Sequence, residues 1–196
     1  MSTSFFESNS YFIDEKVNFF QFENCYKIYN AQGDHVGMIN QKLTSGQKLL
    51  RLLLKKPMLP FMLEIQNLDG SVEATIERGW TFFMSKITIK NPSGNIVGTI
   101  QQKFKLFKPT FRIYNANLEF IAEISGDWTA WNFKIHDASQ NQIGTITKKW
   151  AGALQEIFTT ADKYNVNIDD SISNMENKMA ILAGAITIDM VLKESK

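Results

Sequence analysis

"KMAILAGAITIDMVLKESK", residues 178–196, is the most hydrophobic stretch of the chain, and its reading decides the fold. A helix that crosses a bilayer needs roughly 20 apolar residues to span about 30 Å of hydrocarbon. Here the uncharged apolar run goes from Met179 to Ile188, and Asp189 breaks it. A carboxylate inside the hydrocarbon costs several kcal/mol. A helix that is apolar nearly all round must still be covered on every side. Ala180, Ala183, Gly184 and Ala185 also make it thin. The stretch reads as a thin helix over about 175–192, buried inside a closed sheet, rather than as a membrane anchor.

The sheet comes from a repeat. The chain contains "YKIYNAQGDHVGMINQKL", "LEIQNLDGSVEATIERGW", "ITIKNPSGNIVGTIQQKF", "FRIYNANLEFIAEISGDW" and "FKIHDASQNQIGTITKKW". Aligned on a first Ile (Ile28, Ile65, Ile89, Ile113, Ile135), an Asn or Asp follows two residues later: Asn30, Asn67, Asn91, Asn115, Asp137. Eleven residues after the first Ile stands a second: Ile39, Ile76, Ile100, Ile124, Ile146. Two before the second Ile is a small residue: Gly37, Ala74, Gly98, Ala122, Gly144. Four after it is a large apolar one: Leu43, Trp80, Phe104, Trp128, Trp150.

The physics of the repeat is that of a β-hairpin. Asn or Asp opens a turn, and in three copies a Gly follows that takes φ > 0 without strain. The flanking segments alternate at period two. The small residue, the second Ile and the large apolar residue share parity, so all three are expected to face the core. The Gly or Ala is expected to leave room for the central helix. Five hairpins give ten strands. "YFI" with "VNFFQF" near the N-terminus and "YNVNI" at 164–168 supply about two more. Closure removes the sheet edges. The expected fold is mainly β: a closed antiparallel barrel of about twelve strands around the C-terminal helix. Residues 1–10 are expected to be a flexible N-terminus and residues 11–196 a single domain.

Composition narrows the function. The net charge of +1 argues against a dedicated nucleic-acid binder. The single Cys25 cannot form an internal disulfide and fits a reducing compartment. The start of the chain has no basic stretch followed by an apolar run, so no signal peptide is read there. A cytoplasmic monomer is expected. His35 and His136 are the only histidines and fall in or beside turns, and no HExxH, GxSxG, P-loop or CxxC pattern occurs. An enzyme is not expected.

Charge is nevertheless uneven. Residues 41–110 hold eleven Lys and Arg against Glu64, Asp69, Glu73 and Glu77. In "KLLRLLLKKPMLPF" (48–61) and "QKFKLFKP" (102–109) the basic residues interleave with Leu and Phe. Such mixtures suit an anionic lipid surface, where each Lys or Arg near the headgroups contributes about 1 kcal/mol. Lys48, Arg51, Lys55, Lys56, Lys103, Lys105 and Lys108 are the candidate lipid-binding residues. The same alternation also fits a solvated outer barrel face.

The C-terminal third resembles the phospholipid scramblase family. The residues that carry the resemblance are "KKWAG…FTTADKY" (148–152, then 158–164) and the closing "KMA…GA…ID". The resemblance extends over roughly residues 20–193. It implies a Tubby C-terminal-like barrel, shared with plant LURP-one-related proteins. It also implies an association with phospholipid membranes: calcium-dependent lipid movement in eukaryotic members, phosphoinositide headgroup binding in Tubby-type domains. The family's calcium segment matches "TTADKYNVNIDD" (159–170), where Asp162, Asn165, Asp169 and Asp170 are candidate Ca²⁺ ligands by their oxygens. Thr160 stands where the family has its first carboxylate. "YNVNI" reads equally as a strand with polar residues pointing outward. Two classes of function follow: peripheral binding of anionic phospholipid membranes, with lipid scrambling as its extension, or a soluble barrel that binds a ligand or protein.

Overall fold

The computed structural model describes residues 5–16, 25–43, 59–80, 86–105, 108–127, 129–148 and 163–194, without the side chains of 15–16, 104–105, 108–109 and 192–194. Twelve strands are present among them. They are β1 (Ser10–Lys16), β2 (Cys25–Tyr29), β3 (His35–Lys42), β4 (Phe61–Asn67), β5 (Val72–Arg78) and β6 (Lys86–Lys90), then β7 (Ile96–Lys105), β8 (Lys108–Asn115), β9 (Phe120–Asp127), β10 (Asn132–Asp137), β11 (Gln142–Thr147) and β12 (Lys163–Ile168). Each pairs antiparallel with its chain neighbour, and β1 closes the barrel on β12. The repeats form β2–β3, β4–β5, β6–β7, β8–β9 and β10–β11. A helix, α1 (Met175–Glu194), follows β12.

Alternation decides which side faces in. Ile28, Ile39, Leu63, Ile65, Ile76, Ile87, Ile89, Ile100, Ile113, Ile124, Ile135, Ile146 and Val166 are fully buried on the inner face. The helix fills that space. Every residue from Lys178 to Val191 is buried, so over that span no face of α1 remains for lipid or water. Burying each large aliphatic side chain, such as Ile181, Leu182 or Ile186, contributes about 1.5–3 kcal/mol. No helix among the described residues is long and apolar enough to cross a membrane.

The five turns are copies of one another. In the first, Asn30 N–H donates to Asp34 O, Gly33 N–H donates to Asn30 O, and Asn30 Oδ1 accepts from Gln32 and Asp34 N–H. The backbone pair recurs at Asn67, Asn91, Asn115 and Asp137. The residue three after the Asn or Asp is left-handed in all five: Gly33 at 87°, Gly70 at 85°, Gly94 at 81°, Leu118 at 63° and Gln140 at 67°. Three copies use the residue that adopts this backbone freely. Two impose it on residues with a Cβ, at a cost of roughly 1 kcal/mol each.

The recurrent small residue has a different cause from the expected one. Each repeat's first Ile pairs with it, and the ladder then slips by one residue, which makes a β-bulge at Val36, Glu73, Val97, Ile121 and Ile143. A Cβ added at Gly144 would stand 2.4 Å from Asn167 O, and one at Gly37 2.6 Å from Gln66 O. The neighbouring strand's backbone therefore excludes the side chain at both. At Gly98 the added Cβ would again meet a neighbouring carbonyl first, Tyr114 O at 2.8 Å, and then the helix at Ala180 Cβ, 3.3 Å away.

Two further expectations are corrected. The stretch 1–10 is not a loose terminus where it is described. Phe5–Glu7 forms a 3-10 turn with Phe5 and Phe6 buried, and Tyr11 Oη donates to Ser8 O at 2.8 Å. Apolar contact with the core outweighs the polar residues around it. Trp80 does not face the core and is 54% exposed. Strand β5 ends at Arg78, so parity counted from Ile76 carries no information past that point.

Candidate functional site

The barrel has two unlike ends. All five repeat turns, the 3-10 turn, the turn after β12 and the first turn of α1 lie at one end. The helix runs from there to the other, where the remaining connections lie. Among the described residues, the turn end carries Glu7, Asp34, Asp69, Glu73, Glu119, Asp137, Asp169, Asp170 and Glu176. Against these nine stand Lys90 and Lys178. Lys90 is paired with Glu77 at 2.7 Å, and buried Lys178 donates to Asn9 Oδ1.

The opposite end is basic. Lys42 and Arg78 close β3 and β5, Lys86 opens β6, Lys105 closes β7, Lys108 opens β8 and Lys163 opens β12. Lys103 and Lys148 lie close by in chain position. The carboxylates at this end are Asp14, Glu15, Glu77, Asp127, Glu194 and buried Asp189, and Lys16 and Lys193 lie there as well. Of the candidate lipid-binding residues, Lys103 faces outward on β7 opposite Thr110, and Lys105 pairs with Lys108 across β7–β8. The structure thus brings these three together at one hairpin. Lys48, Arg51, Lys55 and Lys56 fall outside the described residues, in the stretch that joins β3 to β4.

Apolar side chains interrupt the basic rim on β3–β6. Met62 of β4, 37% exposed, is the cross-strand neighbour of Lys42 on one side and Glu77 on the other. Trp80 follows β5, and exposed Lys86 begins β6. The end of β5 is firmly held. Arg78 is 2% exposed, stacks over the Phe61 ring at 4.5 Å and donates to Leu59 O at 2.7 Å. A cation sandwiched against a ring and bonded to a carbonyl fixes the strand end. At Gly79 an added Cβ would touch nothing within 4 Å. Lys42 forms an ion pair with Glu64 at 3.3 Å while half exposed, and such surface pairs contribute little. Lys86 and Lys103 have no ion-pair partner among the described residues.

The candidate calcium segment becomes strand β12 and the turn after it. Asn165 is 7% exposed, and its Oδ1 accepts from Ser10 Oγ at 3.4 Å. Asp169 Oδ1 accepts from Ser171 N–H at 2.9 Å, and that bond holds its carboxyl below the usual range. Asp170 Oδ1 accepts from Asn9 Nδ2. Asp169, Asp170 and Asn167 border an open groove of about 370 Å³, whose lining does not include Asn165. Asp162 falls outside the described residues. Among those described, no three His, Cys, Asp or Glu side chains are grouped to hold a metal. Asn165 and Asn167 share the outer face of β12, where both accept from Ser10 Oγ, while Asp169 and Asp170 lie in the turn beyond the strand, bonded to Ser171 and Asn9.

Two buried polar groups lie near the basic end of the helix. Asp189 is 1% exposed. Burial raises the Tyr164 phenol well above its ordinary value, and the charge of Asp189 raises it further. Trp131 covers Tyr164 at a ring distance of 5.4 Å, and Lys148 lies over Trp131 at 4.6 Å. His35 packs on Tyr29 at 5.4 Å, a packing role beside a turn.

Sequence reasoning missed the exposed Trp80 and the separation of charge between the ends. The second was within reach. The Asn/Asp turns carry the acids and the long connections carry the bases, and an antiparallel barrel puts alternate connections at opposite ends.

Comparison with known proteins agrees on one family. The family model described as Scramblase matches residues 13–195. Human phospholipid scramblase 1 is 27% identical over 92% of this chain and 60% of its own length. Human phospholipid scramblase family member 5 is 29% identical over 57% of this chain and 44% of its own length. The yeast protein named altered inheritance rate of mitochondria protein 25, from Saccharomyces cerevisiae, is 20% identical over 96% of this chain and 72% of its own. An X-ray structure of an Arabidopsis thaliana protein superposes with a TM-score of 0.54 at 6% identity, over 96% of this chain and 94% of that one. At that identity the likeness concerns the fold alone.

Proposed function

This chain belongs to the scramblase family, and on that premise we propose that it binds anionic phospholipid membranes peripherally through the basic end of its barrel. The observation that carries the proposal is the separation of charge in a protein of net charge +1. The strands run from five to ten residues, about 17–33 Å along each. With a barrel tilt of about 40°, the two ends are roughly 13–25 Å apart. That exceeds one Debye length of about 10 Å. An anionic surface that meets the basic end is therefore screened from the nine carboxylates at the turn end. With about 1 kcal/mol per basic residue near the headgroups, a handful of lysines suffices for reversible attachment.

The proposal is binding rather than lipid transfer. Transfer needs a polar path across about 30 Å of hydrocarbon, and the apolar helix is committed to the interior of the barrel. The leaflet rich in anionic lipid is the cytoplasmic one, so the proposed attachment is to a cytoplasmic membrane face.

The test is flotation of the purified protein with phosphatidylcholine vesicles, with and without phosphatidylserine, at low and high salt, in calcium or in chelator. Attachment to the anionic vesicles alone, weakened by salt, is expected in chelator as well as in calcium. A strict calcium requirement would shift attention to residues 159–170. No attachment under any condition would leave a soluble ligand- or protein-binding barrel and sink the proposal.

A further inference from the structure

We propose that Trp80, with Met62 beside it, is the apolar anchor of this attachment, so that the barrel stands end-on to the bilayer with its five turns pointing away. The inference rests on the membrane reading above and adds to it a residue, an orientation and a depth.

The described residues expose six large apolar side chains: Met62, Leu68, Trp80, Ile96, Leu118 and Met175. They divide between the ends. Leu68, Ile96 and Leu118 belong to three neighbouring turns, and Met175 begins the helix; all four share their end with the nine carboxylates. Met62 and Trp80 are at the basic end. Apolar area alone would favour the turn end. Charge reverses that choice, because an anionic surface repels each carboxylate about as strongly as it attracts each lysine. Only at the basic end do attraction and exposed apolar area coincide.

The local geometry suits an anchor. Lys42 on β3 and Lys86 on β6 flank the pair, so two ammonium groups reach the headgroups while the rings and thioether go deeper. Tryptophan favours this boundary, since its ring is apolar and its indole N–H finds a partner at headgroup level. The Arg78 guanidinium, stacked on Phe61 and bonded to Leu59 O, pins the strand two residues before Trp80. The strand end from which Trp80 projects is therefore ordered before binding. The same position in the repeat was expected to pack inward, and no core contact accounts for Trp80.

The experiment uses the full chain with Cys25 replaced by Ser. An environment-sensitive fluorophore is placed on a single new thiol, in one protein by Trp80→Cys and in another by Leu118→Cys. The vesicles are phosphatidylcholine with phosphatidylserine. The expected result is a blue shift for the label at position 80 and none at position 118. In the unlabelled protein, Trp80→Ala should weaken vesicle partitioning about tenfold with its salt dependence unchanged. Lys42→Glu with Lys86→Glu should weaken it and flatten the salt dependence. Circular dichroism melts of each variant show that it is folded. Attachment without a shift at position 80, or with a shift at position 118, overturns the anchor while leaving membrane binding intact. If the parent protein itself fails to float, the membrane reading falls, and the anchor falls with it.

Discussion

Gly184 of α1 lies so close to Ile113 of β8 that a methyl group on the glycine would stand 2.9 Å from the isoleucine Cδ1, and 3.1 Å from Cδ1 of Ile124 on β9. A glycine in a helix interior costs about 1 kcal/mol relative to alanine. Here it lets the helix approach the wall. Gly184→Ala sets that gain against a displacement of two isoleucine ends and should come out within about 1 kcal/mol of the parent. Gly184→Leu and Ala183→Leu have no such room and should destabilise by about 1–3 kcal/mol or more. Thermal melts check this; a Leu variant as stable as the parent would contradict a filled barrel.

Leu118 offers the opposite test. Its left-handed φ of 63° is the conformation that glycine adopts in three sister turns. Leu118→Gly should raise stability by about 0.5–1 kcal/mol, and Gly94→Ala, at φ 81°, should lower it by about 1–2 kcal/mol. Both lie in open, exposed turns, so packing does not confuse the result. Denaturant midpoints read it.

Asp137 links one turn to acid stability. Its carboxyl is held below the usual range, first by the Asn141 side chain and then by the Asn141 backbone N–H. A carboxyl lowered in the folded state adds stability above its ordinary value, and that stability is lost as pH falls through the lowered one. The window is therefore below about pH 4. Asp137→Asn keeps an acceptor that the sister turns already use at Asn30, Asn91 and Asn115. Stability near neutrality should change little, while the acid limb becomes shallower. Urea titrations across pH 2–5 would show no difference between parent and variant if the turn did not contribute.

Tyr164 does the same in alkali. Its phenol is raised by burial and then by Asp189, and its Oη has no hydrogen-bond partner among the described residues. A group raised in the folded state contributes stability below its ordinary value of about 10, and loses it as pH rises beyond. Tyr164→Phe removes an unsatisfied hydroxyl and should be neutral to stabilising at pH 7. It should also delay alkaline unfolding above pH 10. A large loss of stability at neutral pH would mean that the hydroxyl has a bonded role.

Much of the fold was legible because its signals are local. The repeat Ile, the turn Asn or Asp and the glycines at 33, 70 and 94 report strand parity and turn geometry within a dozen residues. The apolar run at 179–188, too short to span a bilayer, left only a buried helix. The candidate site was less legible. Lys103, Lys105 and Lys108 could be picked out by composition, but their grouping depends on which strand ends are neighbours. Asn165 and Asp169 look like one ligand set in a line of sequence, but Asn165 is bonded to Ser10 within the strand and Asp169 folds onto Ser171 in the turn after it.

The sequence by itself determined the hairpins, their number, the closed barrel and the helix inside it, because period-two alternation and turn chemistry act between near neighbours. Only the tertiary structure decided why Gly144 must be small, which Trp stands in solvent and which charges share an end. Those outcomes depend on a neighbouring strand's carbonyl, on where β5 stops and on the antiparallel closure that sends alternate connections to opposite rims. Each is a distance between residues far apart in the chain, and no local pattern encodes it.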